Sequence, residues 1–166
     1  MGTHMGTHMG IDRRLALAAV ASIALGAAVD PLRAQNLSAF DPVATAKLRA
    51  GEIAREIAAS GRDASVPEPS RDDIFNTGLL LQAGLRALLP VQERQGIALP
   101  GTPSSSDPSE LIAAQENYKA VFESGAAATP AQRATAITSL ELAAQQLQKG
   151  GYSLFAKKVT DWLAHQ

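Results

Sequence analysis

The chain has no cysteine, which excludes a disulfide scaffold, a zinc–thiolate site and an iron–sulfur cluster. Charge of one sign is missing too: 15 basic against 16 acidic side chains leave a formal net charge of −1. Such a chain sets up no long-range field for a polyanion, so nucleic acid is not among the expected partners. Histidine is scarce. His4 and His8 stand in the first ten residues, and His165 is the remaining one. Zinc hydrolases of the His-Glu-x-x-His type and carboxylate-bridged di-iron bundles both need histidines on helix faces, so neither is expected, and no cofactor is. Aromatic residues make up only 4% of the chain. What is abundant is alanine, the best helix former, at 32 of 166 residues. Together with 46% hydrophobic and 19% charged residues, this composition predicts a single all-α domain.

The N-terminus reads as a series of processing signals. Met-Gly-Thr-His occurs twice, at 1–4 and 5–8, a leader repeat or cloning scar that takes no part in the fold. From Met9, the basic pair Arg13-Arg14 precedes an uncharged apolar run, Leu15 to Val29, followed by Asp30-Pro31-Leu32-Arg33-Ala34. Basic, apolar and small-residue regions in that order predict a secretory signal peptide over 9–34. Cleavage is expected after Ala34, with Ala28 as the second position. The apolar run falls short of the roughly 20 residues that span a bilayer, so no stable membrane span is expected after cleavage. The expected location is therefore the periplasm or the exterior. Residues 35–166 are then left to form one helical domain.

That domain predicts as an antiparallel helix bundle of four long helices plus a short C-terminal helix. Asp41-Pro42, Ser70, Asp107-Pro108 and Thr129-Pro130 are start signals, each a polar cap and three of them with proline at the first helical position. Glu110 and Gln132 stand three residues after Asp107 and Thr129, which predicts two capping boxes. In the first helix Val43, Ala46, Ala50, Ile53 and Ile57 form one apolar seam up to Gly61, and a proline-bearing linker follows to Ser70. The second carries Ile74, Phe75, Leu79, Leu80, Leu81, Leu85, Leu88 and Leu89 around most of its circumference, which places it at the centre. Gly78 and Gly84 would let neighbouring backbones approach it, and Pro90 ends or bends it. A flexible loop rich in Pro, Ser and Gly is expected near 95–107. The third helix, Pro108 to Ser124, and the fourth, Pro130 to Lys149, form a hairpin. Gly150-Gly151 closes the fourth as a left-handed cap. The fifth begins at Ser153, with Leu154, Phe155, Val159, Trp162 and Leu163 inward.

No catalytic constellation emerges. Ser153, Asp161 and His165 compose a formal triad, but a penultimate histidine reads better as a helix-end ion pair with Asp161. The carboxylate pairs Glu52/Glu56 and Asp72/Asp73 adjoin arginines and read as solvated ion pairs. The candidate ligand-binding residues are Tyr118, Phe122, Tyr152, Phe155 and Trp162, crowded into the last third of the chain. Helical spacing suits them to an aromatic core. The same residues also suit an apolar pocket with the tyrosine hydroxyls as orienting groups, and sequence leaves the two open.

Thr129-Pro130-Ala131-Gln132-Arg133 resembles the Thr-x-x-Gln part of the motif in the Spy/CpxP family of periplasmic helical chaperones, with Ala128 where that motif has leucine. The resemblance implies an exported chaperone-like helical protein and carries over no functional residue. The expectation from the residues themselves is an exported, non-catalytic binding or scaffolding component of a bacterial envelope. Its partner would be another protein, a small apolar ligand or a second copy of the chain.

Overall fold

The computed structural model describes residues 40–166; the leader repeat and the signal peptide lie outside the described residues. Six α-helices follow one another: α1 (Pro42–Lys47), α2 (Ala50–Ala59), α3 (Arg71–Leu88), α4 (Ser109–Ser124), α5 (Pro130–Lys149) and α6 (Ser153–Leu163). A 3-10 turn, Val91–Arg94, follows Pro90. The fold is an all-α bundle, and no strand occurs among the described residues. None of the helices described is long and apolar enough to cross a membrane.

Three of the starts are built by the caps that the sequence announces. The Asp41 carboxylate accepts from the N–H groups of Val43 and Ala44, both at 3.0 Å. Ser70 and Asp73 bond reciprocally at the head of α3, and Thr129 and Gln132 do the same at the head of α5. Each satisfies backbone donors that a helix start leaves orphaned. The box expected from Asp107 and Glu110 does not form. Asp107 turns back to accept from the Ser104 N–H at 2.8 Å, and Glu110 bonds the Ser109 hydroxyl.

The first predicted helix is two helices. Leu48 and Arg49 are extended, with ψ of 156° and 154°, although no proline or glycine stands there. Arg86 of α3 supplies the reason. It is 8% exposed, and its guanidinium donates to the Ala46 carbonyl at 2.8 Å and the Leu48 carbonyl at 3.2 Å. Gln82 adds a bond to Leu48 O at 2.8 Å. Carbonyls that a continuous helix would consume internally are thus paired across the interface. Arg94, just beyond the same C-terminal end of α3, works in the same way, donating to the carbonyls of Leu89 and Ala126. Burial lowers the pKa of both arginines from its ordinary value, yet both stay charged at neutral pH and are satisfied by backbone oxygens.

Central placement of α3 holds: it packs against α1, α2, α4 and α5, while α6 packs on α5. Close approach explains its glycines. A Cβ on Gly78 would lie 2.9 Å from the Ala50 carbonyl oxygen, and one on Gly84 2.7 Å from Leu140 Cγ. Leu81, Leu85, Leu111, Val121 and Leu140 fill the interior beside them. Two apolar residues expected inward point out instead, Phe75 at 45% and Leu154 at 38% exposure. At the end of α5, Gly151 takes the left-handed conformation at φ 83°. Tyr152 N–H then reaches Leu147 O and Gly151 N–H reaches Gln148 O, the paired bonds of a Schellman motif.

Candidate functional site

The five aromatic candidates are not brought to one place. Tyr118 and Phe122 pack edge to face on α4 with ring centres 5.9 Å apart. Tyr118 is 1% exposed, and its hydroxyl donates to the Ala98 carbonyl at 2.7 Å. The Arg86 guanidinium lies 5.6 Å from the centre of its ring, a cation–π contact in packed core. Burial raises the Tyr118 pKa, and the nearby Arg86 charge opposes that rise. Phe155 and Trp162 form a second group around Phe40, at 6.2 Å and 6.0 Å, a partner that sequence reasoning did not single out. Tyr152 belongs to neither group.

Tyr152 lines a half-open cleft of about 380 Å³ between the start of α3 and the end of α5. That size falls within the range of about 300–1,000 Å³ usual for ligand sites. The linker from Gly61 to Ser70 builds one wall. Asp63 N–H bonds to Gly151 O at 2.9 Å, and the Asp63 carboxylate accepts from the Ser65 N–H and hydroxyl. Pinned there, the linker presents Pro67, Glu68 and Pro69 to the cleft. Gly150 packs closely on this wall: an added Cβ would stand 3.2 Å from Pro69 Cγ and would push the proline by a few tenths of an ångström.

Ile74, Leu147, Tyr152 and the exposed Pro108 give the cleft its apolar lining, while Asn76, Thr77, Gln146 and Lys149 supply polar groups. The buried Thr77 hydroxyl lies 2.8 Å from the Asp73 carbonyl oxygen and 2.9 Å from the Gln146 side-chain oxygen, with one proton to donate to either, and this contact sets the Gln146 amide against the cleft. Asp73 is already engaged: bonds from the Ser70 hydroxyl and N–H hold its carboxyl below the ordinary value. Tyr152 is 4% exposed, and its hydroxyl has no hydrogen-bond partner among the described residues.

The formal triad is not assembled. His165 Nδ1 contacts the Asp161 backbone carbonyl, the Asp161 carboxylate pairs with Lys157, and Ser153 accepts from Gln148. The helix-end ion pair expected of Asp161 and His165 is therefore a side-chain-to-backbone contact. Among the described residues no group of three histidine or carboxylate side chains is placed to hold a metal. Of the predicted site residues, Tyr152 alone lines this cleft. Asn76 and Gln146 escaped sequence reasoning because each is one polar residue on a helix, with no spacing that sets it apart. The prolines at 67 and 69 were the available signal, and they read as a linker. Compared with family models, curated proteins and solved structures, the chain matches none.

Proposed function

We propose that the protein is an exported, non-catalytic binding component of a bacterial envelope, and that its binding site is the cleft between α3 and α5. Export rests on the signal-peptide pattern over 9–34. Binding rests on one observation above all: rigid proline walls, an apolar floor and a fixed side-chain amide converge on one half-open cleft. Convergence of a few polar groups on an apolar concavity is the usual form of a ligand site.

A carrier of a small apolar ligand is the second reading, favoured by the Tyr152 ring in the cleft floor. An apolar pocket of Tyr118, Phe122, Tyr152, Phe155 and Trp162 is disfavoured, because these residues lie in separate places and Tyr118 is packed closed. Native mass spectrometry of the mature protein, purified gently from its own export compartment, tests the proposal. The expected result is a retained ligand or partner that is lost when Asn76→Trp fills the cleft. Retention unchanged in that variant, with its helical circular dichroism intact, would move binding away from this site.

A further inference from the structure

We infer that the occupant of the cleft is a peptide segment, seated by one large apolar side chain on the floor and by its backbone amide on the rim. This inference rests on the binding reading above and names the ligand class for that same site. The apolar lining of Ile74, Leu147, Tyr152 and Pro108 accepts an aromatic or leucine side chain by area burial. The rim carries the side-chain amides of Asn76 and Gln146. Asn76 presents a carbonyl and an NH₂ side by side, the complement of the N–H and C=O of a peptide, and Gln146 presents its NH₂. Thr77 holds one end of the Gln146 amide and leaves the other to the cleft. The Asn76 side-chain amide has no hydrogen-bond partner among the described residues. The Tyr152 hydroxyl, likewise without one, adds a third neutral polar group.

Charge argues for the same class. Glu68, Asp73 and Lys149 line the cleft, and the Asp73 carboxylate is committed to Ser70. The Ser70 bonds leave Asp73 ionised, so the lining carries two carboxylates against one ammonium and disfavours an anionic occupant. A fatty-acid carboxylate would meet two carboxylates for one ammonium. The helix ends offer no anion site either, because the α3 cap and the α5 Schellman turn satisfy their own backbone groups.

The test is a titration of the isotope-labelled full chain followed by ¹H–¹⁵N NMR, with acetyl-Ala-Phe-Ala-amide, acetyl-Ala-Ala-Ala-amide and octanoate as probes. The Phe peptide is expected to shift the side-chain amides of Asn76 and Gln146 and the backbone amides of Ile74 and Tyr152. The alanine peptide should bind more than about tenfold more weakly, the loss of one large buried side chain. Asn76→Ala should weaken the Phe peptide about fivefold, the loss of a hydrogen bond. Shifts from octanoate but not from the Phe peptide would overturn the peptide class and leave the cleft as a binding site. No shifts in the cleft from any probe would overturn both readings. Phe-peptide affinity unchanged by Asn76→Ala would overturn the backbone recognition.

Discussion

Gly51 and Gly84 both lie within helices, yet alanine should act oppositely at the two. Nothing stands within 4 Å of a Cβ built on Gly51, so Gly51→Ala gains helix propensity and should stabilise by about 0.5–1 kcal/mol. At Gly84 the same methyl meets Leu140 Cγ at 2.7 Å and the Ala136 carbonyl at 3.0 Å. Gly84→Ala should destabilise by about 1–3 kcal/mol through overpacking. Urea unfolding of the two variants checks both signs. Arg86→Met keeps the apolar stem but removes the donors to Ala46 and Leu48, at a cost of about 2–3 kcal/mol for lost charged hydrogen bonds in the core; thermal unfolding measures it. Gly84 was legible in the sequence, because a glycine inside a helix that is apolar on most sides implies close approach. Arg86 was not. Its acceptors are backbone carbonyls 38 and 40 residues away, and a carbonyl leaves no trace in side-chain spacing.

Helix starts were legible where the cap and its backbone donors lie within four residues, as at Asp41, Ser70 and Thr129. Asp107 has an equally good donor upstream in Ser104, and spacing alone does not rank the two. The break at Leu48–Arg49 belongs to the same class, since the apolar seam runs across it undisturbed. Acid should loosen the linker and the head of α3 first. Asp63 and Asp73 have folded pKa values lowered by bonds from Ser65 and Ser70. Their contribution is complete above the ordinary carboxylate value and is lost as pH falls through the lowered folded values. Amide hydrogen exchange between pH 5 and pH 2.5 should therefore show protection at Ser65, Ser70 and Asp73 declining before that of the α5 interior. Uniform decline along the chain would contradict this assignment.

At the scale of the whole molecule, one central helix organises the bundle, and the concentration of apolar residues on α3 announced it. The aromatic residues did not announce their arrangement. Position in the last third of the chain is not position in space: Tyr118 faces α3 and the Ala98 loop, Phe155 and Trp162 meet Phe40, and Tyr152 lines the cleft. That cleft draws on the linker, on α3, on Pro108 and on the α5–α6 turn, so no local pattern encodes it. The account stands on its being the place where the protein binds. Photo-crosslinking in the exporting cell tests this most directly, with benzoylphenylalanine placed at the exposed, cleft-lining Glu68 and, as control, at the exposed Phe75 of α3, which does not line the cleft. The account predicts a discrete adduct from position 68 that is absent from position 75. Equal adducts from both positions, or an adduct from 75 alone, would contradict it.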